Sequence, residues 1–321
     1  HKGGSMINNK KVLLLISLFS FMQTVQAEVL VILPETGTLA RAASSVKQGF
    51  MSAYEASGSQ EQLKFVNSYG QNMKSLFAKH IKPKTRLVVG PLSREKVEEA
   101  VRLNPKVQVL ALNEIGQHHN KVLQFSLSKN ADAATMGALM LHDNIRQVSV
   151  LREPGIEADS EIFLIALMSQ LDYPVQIIEV LPKKLPKQQA LLLLGKTDWL
   201  NSIVKLPKTG IYAHAIAIEE GAKIPEGLKF CDAPALYEAK WPEMIIAYQQ
   251  QPVNMAYQRL LAFGGDAWTL AEHYLQQPKN IPIGDFSFEG RTGQIHVETR
   301  QIKRTPQCYQ QEQGKLQRIA L

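Results

Sequence analysis

Three short stretches of this 321-residue chain carry residue types that could do covalent chemistry. Ser44-Ser45-Val46-Lys47 sets a serine and a lysine one helical turn apart; Ser128-Lys129-Asn130 and Lys208-Thr209-Gly210 follow in that order. Together they spell a serine nucleophile, a lysine that lowers its proton affinity, and a strand edge that holds a carboxylate, as in penicillin-recognising serine enzymes. Each is only three or four letters long, and S-x-x-K and S-x-N each arise about once by chance in a chain of this size. The context is also wrong. That architecture places strands and a helix before its nucleophile, whereas Ser44 falls in the first helical pattern after the leader described below, and Lys47 shares that helix with an apolar face suited to plain sheet packing.

Other chemistries find less support. Val29 to Leu33, a turn holding Gly37, and a helical pattern have the outline of a phosphate cradle, but dinucleotide turns need three glycines and the next one is Gly49. The helix start could still hold an anion. His118 and His119 are adjacent, point apart and have no third ligand at metal spacing, so no metal is assigned. Asp143, Glu153 and Asp159 are acids of helix starts and surfaces. The two cysteines, Cys231 and Cys308, could pair as a disulfide in an oxidising compartment, with a free buried pair nearly as open. The residues assign no catalytic group and no cofactor.

The elements that would position such groups begin after a leader. Residues 1–5 read as an expression-tag remnant and 6–27 as a secretory signal: Lys10-Lys11, an apolar run from Val12 to Met22, and Val25-Gln26-Ala27 as the cleavage-type end. The run is short for a membrane span. No cysteine follows it, so the sequence predicts a periplasmic chain that is cleaved, not lipidated and without a stable membrane anchor. The net charge of +7 includes Lys2, Lys10 and Lys11 and drops to +4 without the leader. That mild excess, with no arginine stripe interleaved with aromatics, argues against nucleic acid and suits an anionic cell wall.

From residue 28 strand and helix alternate. "EVLVILP", "LKFVNS", "TRLVVG" and "VQVLALN" read as strands; Leu39, Ala43, Val46, Phe50 and Tyr54 share one helix face, and Ser93 is placed to cap a helix. Short strands that are apolar throughout predict parallel sheets covered on both faces. The rhythm restarts past residue 120, and a second α/β lobe begins near 145. The basic, proline-broken "LPKKLPKQQ" leaves little room for a helix, Gly264-Gly265 is read as an interruption of a helix over 253–277, and the end alternates as an antiparallel hairpin does.

On these residues the chain resembles a family. "LVILPETGTLARAASSVKQGFMSAYE" is similar to the first strand and helix of type I periplasmic binding proteins. "VVGPLSREKVEEA", "RLLAFGGDAWTLAEH" and "FEGRTGQIHVETRQIKRTPQCYQQ" resemble the branch of penicillin-binding-protein activators, LpoA/LppC-type. The resemblance implies a two-lobed fold of parallel sheets flanked by helices with a C-terminal antiparallel hairpin. Lobe one is expected at 28–143 plus 240–278 and lobe two at 144–239 plus 279–321, with crossings near 143, 240 and 280. Strand ends facing a cleft would put Glu35, Thr36, Gly37, Ser93, Asn113 and Glu114 beside it. The implied function is a non-enzymatic regulator of peptidoglycan synthesis that contacts a class A penicillin-binding protein in the periplasm. The alternative is a binding protein for a small molecule, an amino acid or peptide, held in the interlobe cleft.

Overall fold

The computed structural model describes Gly3, residues 27–279 and residues 281–321; the signal read at 6–27 lies outside the described residues but for Ala27. The chain opens as repeated βα units: β1 (Glu28–Leu33), α1 (Ala40–Ala56), β2 (Gln62–Asn67), α2 (Met73–His80), β3 (Thr85–Val89), α3 (Arg94–Arg102), β4 (Gln108–Ala111) and β5 (Val122–Gln124). These strands form a parallel sheet in the order β2-β1-β3-β4-β5. All of β1 is buried because helices cover both faces, which is why its sequence does not alternate.

A second set follows: α4 (Lys129–His142), β6 (Gln147–Arg152), α5 (Glu161–Gln170), β7 (Val175–Ile178), β8 (Gln189–Leu194), α6 (Thr197–Ser202), β9 (Ile211–Ala213) and β10 (Lys229–Asp232). Residues 179–188 carry the chain from β7 past β6 to β8 without a helix, as the two prolines of that segment require. Helices α7 (Pro242–Gln250) and α8 (Met255–Leu275) lead to five antiparallel strands: β11 (Phe286–Gly290), β12 (Gly293–Glu298), β13 (Gln301–Thr305), β14 (Gln307–Glu312) and β15 (Lys315–Ile319). The first three form a sheet of their own. The last two extend the second sheet, whose order is β15-β14-β10-β9-β8-β6-β7. Cys231 and Cys308 face each other on β10 and β14 and are disulfide-bonded.

Packing corrects the expected division in two places. Ala133, Met136, Leu139 and Met140 of α4 belong to the second sheet's core, so the chain crosses after β5, near 125–128, and not near 143. Ile295 and Val297 of β12 belong to the first sheet's core with Phe263 and Trp268 of α8, so only β14 and β15 of the closing strands join the second sheet. The crossing expected near 280 therefore falls at 305–307. Apolar alternation looks the same whichever core a hairpin faces, so the sequence could not make this choice.

Nor do Gly264 and Gly265 interrupt a helix: α8 runs unbroken from Met255 to Leu275. Gly264 is there because α1 crosses α8 backbone to backbone. A Cβ on Gly264 would lie 2.0 Å from the Val46 carbonyl oxygen, and one on Gly49 would lie 1.8 Å from that of Leu261. Gly264→Ala is expected to cost about 2–3 kcal/mol by overpacking, despite its gain in helix propensity. Gly137→Ala in α4 is the control, since its nearest neighbour would stand at an ordinary 3.5 Å. That change should stabilise by about 0.5–1 kcal/mol. Urea unfolding of both variants checks the pair, and equal effects would contradict this packing.

Candidate functional site

The carboxyl ends of both parallel sheets face one cleft, the position at which open α/β sheets bind ligands. Ordinary turn chemistry builds its first wall. At the end of β3 the chain turns at Gly90, whose φ of +106° and closeness to the Ile32 carbonyl exclude a side chain. Ser93 then caps α3 by accepting from the Lys96 N–H. Beyond β4, the Asn113 amide donates to the Leu92 carbonyl and its oxygen accepts from the Glu114 N–H. A cavity of about 470 Å³ lies here, bounded by Asn113 and Glu114 on one side and by Asn130, Ile162 and Phe263 on the other. A second, of about 580 Å³, lies against the ends of β8 and β9 and the first turns of α8, with Leu194, Ile216, Ile218 and Met255 as its apolar wall. Neighbouring residues line the two: Arg259 and Leu260 on α8, Ser160 and Ile162 at the start of α5.

Two clusters of charged groups beside this cleft are paired across it, whereas Asp159, Lys196 and Glu219 of the larger cavity and Glu114 and Lys129 of the smaller form no ion pair among the described residues. Arg259 of α8 forms a fork with Asp232 at the end of β10, at 2.9 and 2.8 Å, and also donates to the Ala215 carbonyl. Tyr237 donates to the same carboxylate at 2.5 Å, and burial together with that carboxylate pushes the phenol well above its ordinary range. On the other side Arg304 of β13 donates to Asp132 of α4 at 3.1 Å, and Asp132 is also 3.0 Å from His214 Nε2. His214 stacks on Phe163, with ring centroids 4.2 Å apart. Arg304 and most of α8 pack with the first sheet, whereas Asp132, His214 and Asp232 pack with the second. Each cluster is therefore a tie across the cleft.

Burial opposes ionisation of Asp132, but the His214 hydrogen bond and the Arg304 charge outweigh it and hold the carboxyl below its usual 3.8. A depressed acid contributes stability above its unfolded pKa and loses it as pH falls through the folded value. Wild-type stability should therefore fall faster below about pH 4 than that of Asp132→Asn, read as thermal midpoints against pH. Asp266, buried in α8, is raised by burial and contributes with the opposite sign, so it cannot mimic this loss. Equal slopes for wild type and variant would remove Asp132 from the acid response.

The residues singled out in the sequence scatter. Asn113 and Glu114 line the first cavity. Ser93 is an N-cap. Glu35, Thr36 and Gly37 form an exposed turn in which the Glu35 N–H donates to Asn67 and Gly37 lies under the Tyr69 ring; they line neither cavity. The three enzyme-like stretches sit on different elements. Ser44 and Lys47 are exposed on α1, with the lysine over Phe65 at 4.4 Å; Ser128 caps α4; Lys208-Thr209-Gly210 leads into β9 at the sheet end remote from the cleft. His118 and His119 each contact an asparagine side chain. Sequence reasoning missed Asp132, His214, Asp232, Arg259 and Arg304. Two of them carry a usable signal, since Asp232 ends β10 and His214 follows β9, and strand ends of a parallel sheet face its cleft.

Two lobes whose parallel sheets face a common cleft define a type I periplasmic-binding-protein-like fold. A solved structure described as a "putative branched-chain amino acid ABC transporter", from Chromobacterium violaceum, shares this fold with a TM-score of 0.69 at 22% identity, over 88% of this chain and 99% of that one. Within that class, residues 12–155 match the family model described as "LppC putative lipoprotein". The "Penicillin-binding protein activator LpoA" of Haemophilus ducreyi is 23% identical over 308 residues, 87% of this chain and 52% of that protein. The chain thus spans about half the length of the curated relatives it matches. A solved "LpoA (YraM) C-domain from Haemophilus influenzae, a regulator of PBP1A" aligns with a TM-score of 0.69 at 18% identity, over 92% of this chain and 100% of that one. The resemblance to the LpoA/LppC-type penicillin-binding-protein activators, read from the sequence, stands on all three comparisons.

Proposed function

We propose that this chain is a non-enzymatic regulator of peptidoglycan synthesis that acts in the periplasm by contact with a class A penicillin-binding protein. The similarity to the LpoA C-domain along that domain's entire length carries the reading. Two ion pairs support it, Arg259–Asp232 and Arg304–Asp132, which tie the lobes to each other beside the cleft. Such ties suit a body that presents its outer surface to a partner. The test is glycan polymerisation by the cognate class A synthase with and without this protein. A raised rate and a detectable complex are expected; no change in rate and no complex would sink the proposal.

A second reading, a small ligand in the cleft, is favoured by one observation, the 580 Å³ cavity with its apolar wall. A ligand that binds only the folded state must raise apparent stability. A thermal-shift screen of amino acids, short peptides and apolar acids would reveal it, and a screen without any stabilised hit counts against it.

A further inference from the structure

We propose that the end of the second parallel sheet remote from the cleft docks on an anionic phospholipid bilayer. The strands β6, β8, β9 and β10 all begin at this end, so the loops before them lie side by side, about 5 Å apart per strand. Those loops carry Lys183, Lys184 and Lys187 before β8, Lys205 and Lys208 before β9, and Lys223 before β10. Contacts join them into one surface. The Arg146 N–H donates to the Gln188 carbonyl, Gly210 lies under Leu185, Gly227 lies under the Lys208 carbonyl, and the Gln313 N–H donates to Glu226. Arg146 at the start of β6 and Lys315 at the start of β15 extend the basic surface to either side.

All six lysines are exposed, and none forms an ion pair among the described residues. The carboxylates at this end are fewer. Glu226 is engaged with the backbone of the β14–β15 turn, Asp143 is neutralised by Lys229, and Asp172 and Glu312 are the remaining ones. Unpaired cations left standing in adjoining loops make a positive field, and its natural complement is a sheet of negative charge.

The residue types choose among anionic partners. Lysine is a hydrated point charge on a flexible stem, suited to a diffuse phosphate field; arginine is the better residue for fixed, forked contacts with a protein's carboxylates. Here seven of the eight cations are lysines, with Arg146 as the eighth, spread over a broad end, and none lines either cleft cavity. Val204, 77% exposed beside Lys205, adds an apolar contact at headgroup depth. The corresponding end of the first sheet also carries Lys82, Lys106 and Lys121, but Lys84 there is paired with Glu28. The cleft lies between the two ends, so one flat bilayer meets only one of them.

The test is co-sedimentation of the full chain with phosphatidylcholine vesicles, with and without phosphatidylglycerol, at low and high salt. Binding that requires phosphatidylglycerol and weakens with salt is expected. Lys183→Glu/Lys184→Glu/Lys187→Glu should lose at least about tenfold in apparent affinity. Lys205→Glu/Lys208→Glu is the second variant, from a different loop, and should lose in the same direction. Lys82→Glu/Lys106→Glu/Lys121→Glu makes the same change in net charge at the opposite end and should stay near wild type. Three results overturn the proposal: no binding to anionic vesicles, binding unchanged in both second-sheet variants, or an equal loss in the opposite-end variant. None of them bears on the synthase assay, so this surface and the regulatory reading fail separately.

Discussion

Asp266→Ala is expected to destabilise the fold by about 3–5 kcal/mol, the largest effect of any single substitution considered. The carboxylate is fully buried in α8 and serves as the acceptor for a whole turn. One oxygen takes the Arg291 N–H at 2.8 Å and its guanidinium at 3.3 Å; the other takes the Thr292 N–H at 2.9 Å and its hydroxyl at 2.6 Å. These donors are the turn between β11 and β12. Truncation would leave two buried backbone N–H groups without partners, each costing about 1–3 kcal/mol. Arg291 would keep its fork to Glu243 of α7, at 2.9 and 2.7 Å, so its charge would not be stranded. Thr292→Val, which removes only the hydroxyl donor, should cost about 1 kcal/mol. Urea unfolding curves measure both, and an Asp266→Ala cost no larger than that of Thr292→Val would contradict the arrangement. The same geometry explains why the family-like helix segment around Asp266 and the Arg291-Thr292-Gly293 segment occur together: one is the socket for the other.

Breaking the disulfide should cost about as much. Cys231 and Cys308 close a loop with a sequence separation of 77. Chain-entropy arithmetic puts the stabilisation from such a loop at about 4.5 kcal/mol. The bond also has a topological role. It fastens β10, in the middle of the second sheet, to β14, the strand that returns after three strands packed with the other lobe. Cys231→Ala/Cys308→Ala is expected to lower the denaturant midpoint to the value wild type shows under reductant. Reductant should leave the double variant unmoved. A variant within about 1 kcal/mol of oxidised wild type would mean that the unfolded chain gains little freedom when the link is cut.

Much of the first lobe was legible. β1, β3 and β4 are short apolar runs, and a strand buried on both faces has no other way to be written. The Ser93 cap was legible because capping is decided within four residues. The basic segment between β7 and β8 was legible as helix-free because prolines act on their own backbone. Gly264 was misread for an instructive reason. Glycine lowers helix propensity locally, and that is all a sequence displays; the backbone of α1 pressing on it belongs to a residue more than 200 positions away.

The site was less legible. Asn113 and Glu114 reach the cleft because they follow a strand end, a rule that sequence can apply. Glu35 to Gly37 follow a strand end too, yet their turn lies on the surface against Tyr69, outside both cavities. The ties across the cleft were invisible. Asp132 and Arg304 are 172 residues apart, and an aspartate in the first turn of a helix reads as ordinary dipole chemistry until its partner is in place.

The sequence by itself therefore determined the layered α/β class, the alternation of elements and the helix start at Ser93, because burial periodicity and capping act over a few residues. It also held the family resemblance in the Gly-Pro-Leu turn, the Asp266 helix and the closing strands. Only the tertiary structure decided which core the closing strands join, that Cys231 meets Cys308, and that Arg259 and Arg304 meet Asp232 and Asp132. Those are contacts between distant residues, and their energies depend on burial and distance, neither of which exists until the chain has folded.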